Sequence, residues 1–252
     1  MARAIVAACF GGGGAFGIGF NMGVARALTE EGIPVGSGPM LGTSAGAWTA
    51  AALAVGIDLD EILASWDRAP REGKSRVIEI TRPLFGNARD ERVSTAAIRL
   101  PVLYPTILTG FDHDLADLVA ASSSPPRVAE PHRIDGHRYI DAGIVTPTSA
   151  DRAAPADLLV AVAPMAGPVL GRLGAVGARM VAFELTRWRM TGGQVLFIRP
   201  NRAVGELAGA RTTDVLDPAI AEPTYRAAYE LGKRCADRFR ERHPQLAARV
   251  TR

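Results

Sequence analysis

Gly42-Thr43-Ser44-Ala45-Gly46 sets one serine in the spacing G-x-S-x-G. A nucleophilic hydroxyl at a sharp strand-to-helix turn needs small neighbours, because backbone atoms crowd such a turn. The serine then stands at a helix N-terminus, where the dipole favours negative charge. The flanks suit this: Pro39-Met40-Leu41 is a short apolar segment, and alanine-rich Ala45 to Val55 predicts a helix with Gly56 at its end. Upstream, Gly11 to Gly14 form a run followed by Ala15, Phe16 and Gly17. Backbone N–H groups of such a run converge on one concavity and can hold a phosphate or a developing oxyanion. A tight strand-to-helix turn without chemistry is the alternative. Gly12, Gly14 and Gly17 also fit G-x-G-x-x-G, but a dinucleotide site then needs an acid at the end of the next strand. No Asp or Glu lies between Gly32 and Asp58, and no Gly-Lys-Ser/Thr follows to make a P-loop. An oxyanion site at Gly12, Gly13 and Gly14 fits best, because the G-x-S-x-G serine follows one helix later.

Ser44 needs a base. The histidines are His113, His132, His137 and His243. In the chain order serine, acid, histidine, only His243 follows Asp141, and it stands just before Pro244 in an arginine-rich C-terminal helix, a poor place for a catalytic base. A carboxylate remains. Asp141 follows Arg138-Tyr139-Ile140, which reads as a strand, and precedes the turn Ala142-Gly143. A carboxylate whose pKa is raised by burial can take the serine proton. A turn-forming aspartate that bonds its own backbone is the alternative.

The elements that must position these residues alternate. Residues 3–10 predict a buried strand, Gly19 to Glu31 a helix, and Ile62, Leu63 and Trp66 one side of a further helix capped by Asp58. Residues 71–95 read as a polar surface excursion with a strand at Arg76 to Ile80. Residues 96–108, broken by Pro101 and Pro105, suit an edge strand. Asp114 to Ala121 predicts a helix ended by 122–126, His137 to Ile140 a strand, Asp157 to Ala163 a continuous apolar strand, 170–190 an amphipathic helix, Gln194 to Arg199 a strand, and 218–242 a long helix. Alternation of this kind predicts an α/β fold, a central mostly parallel sheet flanked by helices. The 252 residues fit a single domain, 1–252.

Composition narrows the function classes. Hydrophobic residues make up 48% and charged residues 22%, ordinary globular values that exclude chain-wide disorder. The net charge of +3 is carried almost wholly by arginine, Lys74 and Lys233 being the only lysines. The arginines are dispersed among acids and leave no basic stripe with interleaved aromatics, so no nucleic-acid partner is expected. Cys9 and Cys235 imply no disulfide framework. No apolar stretch suits a membrane span and the N-terminus has no signal-peptide core, so a cytoplasmic location is expected.

With these motifs in hand, the chain resembles the patatin-like phospholipases over roughly residues 3–165. Gly11 to Gly17 looks like that family's glycine-rich oxyanion loop, and Gly42 to Gly46 like its nucleophile elbow. Ala121-Ser122-Ser123-Ser124-Pro125-Pro126 resembles its Ala/Ser-rich segment ending in proline, and Asp141-Ala142-Gly143 its Asp-Gly-Gly/Ala motif. The resemblance implies a Ser–Asp dyad acyl hydrolase. Ser44 would be the nucleophile, Asp141 the base for serine and later for water, and the N–H groups around Gly13 and Gly14 the oxyanion hole. Gly17, Gly42, Gly46 and Gly143 would be motif glycines. No cofactor or metal is expected. Two positions depart from the family pattern. Phe16 stands where it usually has Arg or Lys, which would remove a cation beside the oxyanion loop and add apolar surface. Ala142 stands where it usually has glycine, and a positive φ there would strain the turn.

The expected function is hydrolysis of lipid acyl esters, phospholipid or lysophospholipid. A catalytically weak lipid- or fatty-acid-binding module and an acyltransferase on the same scaffold are the alternatives. Phe16, Phe20, Met22, Met40 and Trp48 are candidates for an acyl pocket or for core. The basic amphipathic segment Arg172 to Arg189 leaves room for transient contact with an anionic membrane surface.

Overall fold

The computed structural model describes residues 4–67 and 76–251. The strands, in chain order, are β1 (Val6–Phe10), β2 (Met40–Thr43), β3 (Val93–Leu100), β4 (Tyr104–Thr109), β5 (His132–Ile134), β6 (His137–Asp141), β7 (Leu158–Val162) and β8 (Gln194–Ile198). The helices are α1 (Gly14–Glu30), α2 (Ala45–Val55), α3 (Leu59–Asp67), α4 (Ile78–Phe85), α5 (Leu115–Ser122), α6 (Arg172–Arg189), α7 (Arg202–Glu206), α8 (Ala221–Arg242) and α9 (Pro244–Val250).

All strands join one sheet. Its centre, β3-β2-β1-β7-β8, is parallel. β4 and β6 run antiparallel to β3, and β5 antiparallel to β6. Side chains alternate across it as the two-residue period dictates. Val6, Ala8, Phe10, Leu158, Val160 and Val162 enter the larger core with α1, α2, α5 and α8. Ala7, Cys9, Leu159 and Ala161 enter a smaller one, closed by Val181, Leu185 and Trp188 of α6. The result is a mixed α/β fold in three layers: helices, a mostly parallel sheet, helices.

One register decides where Ser44 and Asp141 sit. β4 pairs with β3 from Ser94 to Arg99 and fills one edge of that strand. β2 and β6 must therefore share the other edge. β2 comes in parallel and ends with Thr43 opposite Ala96. β6 comes in antiparallel and ends with Asp141 opposite Ala97. Two strands far apart in sequence thus meet end to end, and the residues leaving them, Ser44 and Asp141, are delivered to one point.

Several elements differ from their sequence expectation. Arg76 to Ile80 is not a strand: Val77, Thr81 and Phe85 recur every four residues and form the buried stripe that seats α4. The Thr81 hydroxyl donates to the Ala116 carbonyl of α5, so this part of 71–95 packs into the fold. Residues 71–75 lie outside the described residues. Residues 96–108 are two strands. β3 is interior, and only β4, which holds Pro105, is an edge. α1 begins five residues earlier than the apolar pattern predicts, at Gly14, because the glycine run itself turns into the helix. Among the described residues, no helix is long and apolar enough to cross a membrane.

Candidate active site

Ser44 caps α2 with φ 53° and ψ −117°. That backbone conformation is unusual for a side-chain-bearing residue and costs about 1–3 kcal/mol, so the surroundings must enforce it. They do so from three sides. The Ser44 N–H donates to Ser122 Oγ at 2.9 Å, and Ser122 donates on to the Ala96 carbonyl at 2.7 Å. Gly46 lets α2 close on β1: a Cβ there would stand 1.8 Å from the Phe10 carbonyl oxygen. Thr43, buried at the end of β2, bonds through its hydroxyl to Ser149 Oγ at 3.2 Å.

Asp141 is buried at the end of β6. Its carboxylate accepts the Gly143 N–H at 2.7 Å and faces the Ser44 hydroxyl. Both groups favour the charged form, yet removal from water outweighs them and pushes the carboxyl up to about 6. The turn-forming bond and the contact with serine coexist: one oxygen fixes the turn through Gly143 while the group faces Ser44. Ala142 does not have positive φ. It is fully buried with Ala96 and Ile98, so the strain expected of an alanine at this position is absent.

The glycine loop crosses in front of Ser44. The expected donor Gly12 instead gives its N–H to the Pro147 carbonyl at 3.0 Å. Gly13, at φ 144°, swings the chain into α1 in a conformation that glycine adopts freely. The Gly13 and Gly14 N–H groups make no hydrogen bond among the described residues and sit at the positive end of α1. Phe16 faces away from the loop. It is fully buried, stacked on Phe20 with ring centroids 6.2 Å apart, so it brings neither charge nor apolar surface to the site.

Gly12, Gly13, Gly14, Ser44, Asp141 and Gly143 open onto one cavity of about 560 Å³. Ile18, Trp48 and Trp66 line it, and Trp48 meets Trp66 edge to face at 5.8 Å. Ile144, Leu173 and Val176 are exposed and also line it. Of the five apolar candidates only Trp48 lines the cavity; Phe16, Phe20, Met22 and Met40 are core. Gly17 and Gly42 allow close packing behind the loop and the elbow. None of the four histidines lines the cavity. His132, for example, bonds Asp117 of α5 at 2.8 Å, and neither residue lines the cavity. Among the described residues no group of three or more His, Cys, Asp or Glu is placed to hold a metal ion.

Sequence reasoning left two contributors without a role. Ser122 was part of a Ser-rich helix end, and its position facing the elbow follows only from the packing of α5 on β3. Glu184 lies on the sheet-facing stripe Val181, Leu185, Trp188 of α6 and is itself buried. An acid on an otherwise apolar stripe was the available signal.

No family model matches the chain, and no curated protein sequence matches it. Among solved structures, VipD from Legionella pneumophila is similar at 14% identity over 94% of this chain and 67% of that one, with a TM-score of 0.48.

Proposed function

We propose that this protein is a serine acyl hydrolase of the patatin-like type, acting on lipid acyl esters such as phospholipid or lysophospholipid. One observation carries the proposal: the strained Ser44 and the buried Asp141 carboxyl, whose charged form the Ser44 hydroxyl favours, line one apolar cavity beside the Gly13 and Gly14 N–H groups, which make no hydrogen bond among the described residues. The size and apolar lining of the cavity suit an acyl chain whose ester carbonyl would lie at Ser44. Ser44 Oγ attacks the carbonyl carbon while its proton passes to Asp141, and the oxyanion forms toward Gly13 and Gly14. Collapse breaks the ester C–O bond, and the leaving alcohol takes the proton back from Asp141. Water then attacks acyl-Ser44, gives its proton to Asp141, and the fatty acid leaves as the proton returns to Ser44. A carboxyl held near 6 is poised for both proton transfers near neutral pH.

The exposed Ile144, Leu173 and Val176 at the mouth, next to the exposed Arg172 of α6, support transient contact with an anionic lipid surface. The test is intact mass after treatment with an alkyl fluorophosphonate. A single adduct on wild type, absent in Ser44→Ala and accompanied by ester turnover, is expected. A folded wild type that takes no adduct and turns over no ester refutes the proposal and leaves a binding module.

A further inference from the structure

Glu184 is a buried carboxylate that the proposed reaction does not use, and it lies outside the lining of the site cavity. It reaches from α6 into the segment 146–150. Oε1 accepts the Thr146 hydroxyl at 2.8 Å. Oε2 accepts the Thr148 hydroxyl and also the Ala150 N–H at 3.1 Å. Three donors within five residues converge on one side chain, so its two acceptor oxygens fix the shape of that segment.

The segment touches both halves of the site. The carbonyl of Pro147, between the two threonines, accepts the Gly12 N–H, and Thr148 packs so closely that a Cβ on Gly11 would meet its methyl at 2.9 Å. On the other side, Ser149 bonds Thr146 at 3.0 Å and Thr43 at 3.2 Å. Proton accounting gives this chain a direction. Thr146 spends its only hydroxyl proton on Glu184, so Ser149 donates to Thr146, and Thr43 donates to Ser149. Thr43 immediately precedes the nucleophile. Ser149 itself stands at φ 52°, which its surroundings must maintain.

We propose that Glu184 is a positioning residue for the Ser44 reaction: through the 146–150 segment it fixes the glycine loop at Gly12 and the elbow at Thr43 in one stroke. The proposal rests on the acyl-hydrolase assignment for its kinetic consequence and on geometry alone for its structural one.

The test compares wild type with Glu184→Ala, Glu184→Gln and Thr43→Val, reading kcat and KM on a short aryl ester and amide hydrogen exchange across 10–14 and 146–150. Glu184→Ala and Thr43→Val are expected to lower kcat roughly tenfold or more, because loosened orientation acts on the chemical step, with KM within about twofold. Exchange in 10–14 should quicken in Glu184→Ala while β7 and α8 stay protected. Glu184→Gln should recover most of the kcat: its amide oxygen accepts from Thr148 and Ala150, and its NH2 holds Thr146. A folded Glu184→Ala with wild-type kcat, or with unchanged exchange in 10–14, overturns the proposal. If Glu184→Ala does not fold, Thr43→Val decides, and an unchanged kcat there overturns it. A wild type inert to ester and fluorophosphonate refutes the hydrolase assignment instead, and the exchange comparison still decides the role of Glu184.

Discussion

Replacing Asp141 by Asn should remove activity and, at neutral pH and above, make the protein more stable. The carboxyl sits at about 6 in the fold instead of an ordinary 3.8, and burial is the leading cause. The folded state therefore binds this proton more tightly than the unfolded chain, and its stability falls as pH rises through the window between the two values. Below that window the carboxyl is neutral in both states and the cost vanishes; above it the cost is full. At about 1.4 kcal/mol per pKa unit the penalty is roughly 0.5 kcal/mol at pH 4 and about 3 kcal/mol at pH 8. Asn has no charge to bury, and its side-chain oxygen still accepts from the Gly143 N–H. Urea denaturation of both proteins at pH 4, 5, 6, 7 and 8 isolates the effect, because every other titrating group is shared. The stability difference should open by about 2–3 kcal/mol in favour of Asp141→Asn between the ends. Parallel curves, or a variant less stable at pH 8, would show that Asp141 is not a desolvated carboxylate.

Activity should follow the opposite course. The base must be ionised, so kcat/KM should rise with pH through about 6 and level off above it; a profile flat from pH 5 to 8 contradicts Asp141 as the base. Ser44→Gly should be more stable than Ser44→Ala by about 1–2 kcal/mol, because both lose the hydroxyl and only glycine relieves the positive φ; thermal melts of the pair decide it. Gly46→Ala should fail to fold or lose about 4 kcal/mol or more, since its Cβ would overlap the Phe10 carbonyl, and circular dichroism reads the result. Arg172→Glu should weaken sedimentation with anionic vesicles while leaving turnover of a soluble short ester in place; unchanged sedimentation argues against contact through α6.

What the sequence made legible is local chemistry. The elbow motif, the glycine run and the alternation of strands and helices depend on turn geometry and side-chain period, and short windows carry both. What it hid depends on partners distant in the chain. The β-branched Val77, Ile78 and Ile80 look like a strand until α5 supplies the neighbour against which Thr81 and Phe85 bury. Phe16 follows the glycine loop in sequence, and only the early start of α1 turns it into the core beside Phe20. Gly12 has the same donor as Gly13 and Gly14, and only the position of Pro147 removes it from the set.

The pairing of Ser44 with Asp141 is implied by the family resemblance, but the register that brings them together is hidden. Asp141 lies 97 positions after Ser44, with several elements between, and neither motif alone fixes where its strand ends on the sheet. They are brought together by a division of labour along one edge of β3: Ala96 takes the end of β2 and Ala97 the end of β6. A parallel strand and an antiparallel strand that end on neighbouring residues must aim the turns that follow at the same place. Ala96 and Ala97 are both fully buried there, and burial is the leading cause of the raised Asp141 carboxyl. A slip of one residue in either pairing would turn its strand's side chains to the opposite face, so Asp141 would point away from Ser44 with both motifs intact. The proposed chemistry therefore rests on the register of β2 and β6 along β3, set by pairings that run from the motif residues back to Met40 and Arg138, as much as on Ser44 and Asp141 themselves.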